Sequence, residues 1–175
     1  MPNVDPFTAA LEPCYGDALR YCRALCARWS PSDAEDVLQD ALLKALRGYD
    51  GLKDKAKFRP WLFQIVTRTF QSASRRGFWK RFVPIDAGGE AERIPGVFHG
   101  PEWTEERLAI LGALAGLSAK ERAAVLLFEV GGFQIDEIAA IQGDRSLSAV
   151  KSRLSRARSR LKDRLERPAA SARTA

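Results

Sequence analysis

Side chains able to carry out covalent or acid–base chemistry are few in this chain of 175 residues. There is one histidine, His99, and there are three cysteines, Cys14, Cys22 and Cys26. A single imidazole starves most histidine-based catalysis, and an odd thiol count argues against a disulfide framework. Cys22 and Cys26 sit one helical turn apart, a spacing a metal can use, but the histidine is far away. Buried cysteine behaves as a small hydrophobe, so no metal and no cofactor is expected. Four acids fall within eight residues, Asp33, Glu35, Asp36 and Asp40. No His or Lys stands among them to complete a metal or proton-transfer set. Their outward helical spacing suits a surface that meets a protein. The chemistry on offer is charge recognition, and the chain is not expected to be an enzyme.

The positive charge is concentrated. The chain has 28 Lys+Arg against 22 Asp+Glu, a formal net charge of +6. From Gly143 to Arg167 nine bases face three acids, so this segment alone carries a net +6. A second cluster, Arg68, Arg75, Arg76, Lys80 and Arg81, has no acid within it. Two basic patches suit a polyanion, most commonly nucleic acid. The acidic patch would repel DNA.

The elements that must present these patches read as helices. Apolar residues from Pro6 to Trp29 recur at helical spacing, with a break expected near Pro13. Ser30-Pro31 ends this segment, and Ser32-x-x-Glu35 reads as a capping box. Ala34, Val37, Leu38, Ala41, Leu42, Ala45 and Leu46 form the buried stripe of the next helix, stopped by Gly48. Phe58, Trp61, Leu62, Ile65, Val66 and Phe70 form another, with Pro60 tolerated in its first turn. From Val83 to Pro101, seven Gly and Pro residues interrupt every periodic pattern, as a linker would. Beyond it, Ser118-x-x-Glu121 is a second capping box and Gly131-Gly132 a stop. A short helix around Ile135–Ile141 follows, then a turn at Gly143–Ser146. The last helix carries Val150, Leu154, Ala157, Leu161 and Leu165. No strand pattern and no repeat is apparent.

Two short helices joined by a turn, the second basic and polar at its start, make a helix-turn-helix layout. In that layout the second helix enters the major groove and its early residues read base edges. Those positions are Arg145, Ser148, Lys151, Ser152 and Arg153. Arg and Lys donate to guanine, and Ser pairs with several bases. Arg156, Arg158, Arg160 and Lys162, further along, suit phosphates.

Taken together, these segments resemble the extracytoplasmic-function (ECF) sigma factors of bacterial RNA polymerase. The resemblance rests on Asp33-Ala-Glu-Asp-Val-Leu-Gln-Asp40 and Phe58-Arg-Pro-Trp-Leu-Phe-Gln-Ile-Val-Thr-Arg68 in the first half. In the second half it rests on Leu117-Ser-Ala-Lys-Glu-Arg122, Gly132-Phe-Gln-Ile-Asp-Glu-Ile-Ala139 and Ala149-Val-Lys-Ser-Arg-Leu-Ser-Arg-Ala-Arg158. It implies an all-α protein of two small helical domains joined by a flexible linker, the second with a helix-turn-helix. The expected boundaries are 1–82, linker 83–102, 103–167 and a frayed tail 168–175. It implies that Asp36, Gln39 and Asp40 bind core RNA polymerase. It implies that Arg59, Gln64, Arg68, Gln71, Arg75, Arg76 and Trp79 meet the minus-ten promoter element, where aromatic rings and bases hold an unpaired strand. Phe78 is a further candidate for stacking. The minus-thirty-five element falls to Arg145, Ser148, Lys151, Ser152, Arg153, Arg156 and Arg158. The implied partners are core polymerase, promoter DNA and an anti-sigma factor.

Two stretches depart from the family pattern. The turn between Gly143 and Val150 is about one residue longer, and Phe70-Gln-Ser-Ala-Ser74 replaces an aliphatic-Asp stretch. The alternative to a sigma factor is a stand-alone helix-turn-helix regulator, which would bind a palindrome as a dimer. No dimerisation heptad supports it. A decoy that binds only an anti-sigma factor would not need basic residues in both DNA-facing segments. No apolar run approaches the roughly 18–20 residues of a membrane-spanning helix, and the first residues lack a signal-peptide pattern. Membrane insertion is not expected, and a cytoplasmic location is.

Overall fold

In a computed structural model the chain is described over residues 5–27, 29–81 and 104–166, with side chains of 76–81 outside that description. Among the described residues there are seven α-helices and no strand. They are α1 (Pro6–Leu25), α2 (Pro31–Gly48), α3 (Phe58–Arg81), α4 (Glu105–Ala115), α5 (Ala119–Glu129), α6 (Ile135–Gln142) and α7 (Leu147–Glu166). Two 3-10 turns, Tyr49–Gly51 and Lys55–Lys57, join α2 to α3. The expected linker, His99 and the tail lie outside the described residues.

Helix α1 starts where Asp5 accepts from Thr8 N at 3.1 Å and Pro6 takes the first helical position. It runs unbroken through Pro13, against the expected break. Pro13 forfeits one backbone bond, while burial of Phe7, Cys14, Ala18, Tyr21, Cys22 and Leu25 on one face holds the helix together.

Helix α2 begins two residues before the expected cap. Ser30 is the N-cap, with Asp33 N donating to Ser30 Oγ at 3.1 Å and Ser30 N donating to Asp33 Oδ2 at 3.0 Å. Pro31 occupies the first helical position, where a missing N–H costs nothing. The Ser32–Glu35 box is therefore not used. Leu46, expected inside, is 49% exposed.

Helix α3 is buried on more than the expected stripe. Phe58, Leu62, Val66 and Phe70 are inside, but so are Phe63 and Thr67, while Trp61 and Ile65 are half-buried. Thr67 Oγ1 donates to Phe63 O at 2.7 Å and lies 2.7 Å from Tyr21 Oη. Burial pushes the Tyr21 phenol well above its ordinary pKa. The extra buried face exists because α3 packs against α1 and α2 on one side and against α6 on the other.

In the second half, α4 starts at Thr104, which accepts from Arg107 N at 3.2 Å. Ser118 and Glu121 form the expected capping box of α5. Gly143, at φ +70°, closes α6 in the left-handed region that glycine enters without cost. Ser146 Oγ then accepts from Ala149 N at 3.3 Å and opens α7. Val150, Leu154 and Ala157 anchor α7; Leu165, expected on the same stripe, is exposed. One continuous apolar core runs through both halves.

Candidate nucleic-acid and polymerase interfaces

On α2, Asp36 and Gln39 are exposed and Asp40 is half-exposed. Lys44 Nζ holds Asp40 Oδ2 at 2.7 Å and reaches Thr69 Oγ1 at 3.3 Å. Spacings of three and four place Asp36, Gln39, Asp40 and Leu43 on one helix face. Leu43 is 51% exposed, and Leu46 lies one turn further on. The face is thus acidic at one end and apolar at the other. Sequence reasoning found its acids and missed its leucines.

The residues expected on α3 divide into two groups. Arg68 and Arg75 are exposed, and Arg75 Nη2 sits 3.4 Å from Ser72 Oγ. Gln71 Nε2 between them is buried and has no hydrogen-bond partner among the described residues. Arg59 and Gln64 point instead at the second half of the chain. Arg59 donates to Gly131 O at 2.7 Å and pairs with Asp17 at 3.3 Å. Its guanidinium carbon lies 5.1 Å from the Phe63 ring centre and 4.5 Å from that of Phe133. Gln64 Nε2 donates to Ala140 O at 3.1 Å. Arg76 and Trp79 belong to the backbone of α3, but their side chains, and that of Phe78, lie outside the described residues.

Helix α7 and the turn before it present Arg145, Ser148, Lys151, Ser152 and Arg156 to solvent. Arg153 differs from these. It donates to Asp144 Oδ2 at 2.5 Å and Oδ1 at 3.1 Å, and to Gln142 Oε1 at 2.5 Å. The Arg153 bonds hold the Asp144 carboxyl below its ordinary pKa, against the opposing effect of burial. Arg158 pairs with Glu129 at 2.7 Å and lies 4.7 Å from the Phe128 ring centre. Arg160 reaches Glu121 at 2.8 Å. Burial would raise the Glu121 pKa, yet the Ser118 hydroxyl and amide and the Arg160 and Arg156 charges bring it below normal.

Arg122 sits inside, 4% exposed. Its Nε donates to Leu114 O at 2.9 Å, and its Nη2 donates to Leu117 O at 3.1 Å and Ala115 O at 3.3 Å. Its Nη1 donates to Leu25 O at 2.5 Å. The last carbonyls of α4 and of α1 carry the negative ends of two helix dipoles. A buried cation is stabilised among them.

The three thiols are free and buried, and Cys22 Sγ donates to Ala34 O at 3.4 Å. Contact with Cys22 and burial both raise the Cys26 thiol pKa. No cluster of His, Cys, Asp and Glu able to hold a metal ion occurs among the described residues. No helix among them is long and apolar enough to cross a membrane.

Two family models match the chain, Sigma-70 region 2 over residues 11–80 and Sigma-70 region 4 over residues 107–161. The ECF RNA polymerase sigma factor EcfG of Rhodopseudomonas palustris is 34% identical across 73% of this chain and 68% of its own length. The chain belongs to the ECF RNA polymerase sigma factors. Within this sigma-factor family, SigG of Mycobacterium tuberculosis is 33% identical across 93% of the chain, which spans about half (51%) of that relative's length. Among solved structures, the sigma factor RpoE of Bartonella quintana, in complex with the anti-sigma factor NepR, aligns with a TM-score of 0.76 at 28% identity. That match covers 93% of this chain and 98% of that one. The region 2 match takes in α2 and α3, and the region 4 match takes in α5, α6 and most of α7. The two basic patches of this sigma factor therefore fall in different sigma regions.

Proposed function

We propose that the chain is an alternative sigma factor that binds core RNA polymerase and directs promoter-specific initiation. Residues 1–82 form the polymerase-binding and minus-ten domain, 83–102 a linker, and 103–167 the minus-thirty-five domain. The α2 face of Asp36, Gln39, Asp40, Leu43 and Leu46 docks on core polymerase, joining apolar contact to charge. Arg68, Gln71 and Arg75 receive the minus-ten element, together with Arg59, Gln64, Arg76 and Trp79 when α3 is accessible along its length. Arg145, Ser148, Lys151, Ser152 and Arg156 meet the minus-thirty-five duplex, with Arg158 toward phosphate. Arg153 serves this surface from behind, by fixing the turn.

The observation that carries the reading is the pairing, in one chain, of an acidic-apolar α2 face with an outward polar-basic start of α7. A duplex-binding protein acting alone has no use for the first. The chain acts by binding, in the cytoplasm, and catalyses nothing itself. RpoE is found with an anti-sigma factor, and a partner of that kind is proposed to hold this chain inactive.

The test is abortive transcription with purified core polymerase on a promoter library. Specific initiation that depends on this chain, and that Asp40→Arg abolishes, is the expected result. Absence of initiation, with salt-sensitive duplex binding by the chain alone, would overturn it in favour of a stand-alone regulator.

A further inference from the structure

One leucine of α7 takes no part in the core. Val150, Leu154, Ala157 and Leu161 recur along the helix at spacings of three and four. The first three are buried and Leu161 packs against the core. Leu147 continues that spacing toward the start of α7, yet it is 48% exposed. Among the described residues it belongs neither to the core nor to the side chains packed on it. The apolar stripe of α7 thus runs past the end of its support.

A lone exposed leucine is ordinary on a protein surface, but this one is set among cations and hydroxyls. Lys151 follows it by one helical turn on the same face, and Ser148 and Arg145 flank it in the chain. All of them are exposed. Neither Arg145 nor Lys151 has an ion-pair partner among the described residues, whereas Arg153, Arg158 and Arg160 each have one. The backbone beneath Leu147 is fixed on both sides. Arg153 holds Asp144 in the preceding turn, and Ser146 Oγ accepts from Ala149 N at 3.3 Å.

We propose that Leu147 is a specificity-determining residue that takes the 5-methyl group of a thymine in the major groove. The inference rests on the proposed reading of α7 as the minus-thirty-five surface. Of the four bases, only thymine presents an apolar group on its major-groove edge. A leucine side chain has no hydrogen bond to offer. Laid against a guanine or cytosine edge, or against a phosphate, it would displace water and return nothing. Against a methyl group it buries apolar surface at no polar cost. Lys151 can donate to guanine O6 and N7 from the same face. One helical turn rises about 5.4 Å and one base-pair step about 3.4 Å, so the thymine should lie within about two base pairs of a guanine.

The test removes the methyl group alone. Holoenzyme assembled from the full chain and core polymerase is used to select from a pool of duplexes randomised across the minus-thirty-five region. In the winning duplex each thymine is replaced in turn by deoxyuridine, which lacks only the 5-methyl. One replacement is expected to weaken wild-type binding about fourfold, the effect of burying one such group, and to leave Leu147→Ala binding unchanged. Leu147→Met keeps an apolar side chain and should retain the discrimination. Leu147→Gln should move the selected base at that position from thymine toward adenine, which glutamine recognises bidentately. If Leu147→Ala loses helix content, the Met and Gln variants carry the comparison. A winning site without thymine, replacements that leave wild-type binding unchanged, or equal losses in wild type and Leu147→Ala would each overturn the assignment. Failure of the sigma reading looks different: wild-type holoenzyme enriches no sequence in this region, and the assignment falls with it.

Discussion

Arg153 grips both carboxylate oxygens of Asp144 across the turn that precedes α7, with side chains only 11% and 13% exposed. Asp144 lies just after α6, and Arg153 lies within α7. The pair ties the end of α6 to the second turn of α7 and so fixes the angle at which α7 leaves. Fork-to-fork pairing of this kind is directional as well as strong.

Arg153→Ala should therefore cost stability, about 2 kcal/mol, measured by urea unfolding, and should weaken duplex binding indirectly. Arg156→Ala, at an exposed position, should leave the unfolding midpoint within about 0.5 kcal/mol and reduce DNA affinity alone. If both variants behave alike in unfolding, Arg153 does not brace the turn.

The same pair sets a pH dependence. The folded Asp144 carboxyl titrates below its ordinary value because Arg153 holds it. Its contribution is complete above the unfolded aspartate pKa, about 4. It is lost as pH falls through the lower folded value. In Asp144→Asn the fall in stability on acidification should be shallower, as read from thermal melts between neutral and acid pH.

The position of the first cap of α2 is testable by two serines. Ser30→Ala should destabilise the protein by about 1 kcal/mol, because it removes the acceptor for Asp33 N. Ser32→Ala should change little, since Ser32 is exposed and does not serve as the cap. Equal effects on the unfolding midpoint would mean that the helix starts where the Ser32–Glu35 spacing suggested.

The leucines on the α2 face make a prediction that its acids do not. Leu43→Ala and Leu46→Ala remove exposed apolar surface, so folding should be almost unaffected. Affinity for core polymerase should fall by about tenfold or more for a fully desolvated anchor, measured by equilibrium titration with labelled chain. Unchanged affinity would move the docking site elsewhere.

Periodicity and local chemistry made much of this architecture readable. The Ser118–Glu121 cap, the acids of α2 and the helix-turn-helix arrangement all depend on residues close together in the chain. What escaped depends on distant ones. Phe63 and Thr67 fall off the apolar stripe of α3, and they are buried because Phe133 covers one and Tyr21 bonds the other. Leu46 lies on the stripe of α2 and is nonetheless 49% exposed. Arg153 has the residue type and position of a base reader. Only the fold back of the turn shows that Asp144 takes it. Pro31 misled in the other direction: a residue that ends one helix is equally at home opening the next.

Arg122 donates to four main-chain carbonyls and lies over the Phe70 ring, 5.9 Å from its centre. Its acceptors are the carbonyls of Leu25, Leu114, Ala115 and Leu117, groups that every amino acid supplies. The clasp is therefore indifferent to the identity of the side chains at those four positions, provided the helices still end where they do. A chimera that grafts this second module onto the first module of another sigma factor should carry its own clasp with it, provided the recipient's first helix ends in the same place.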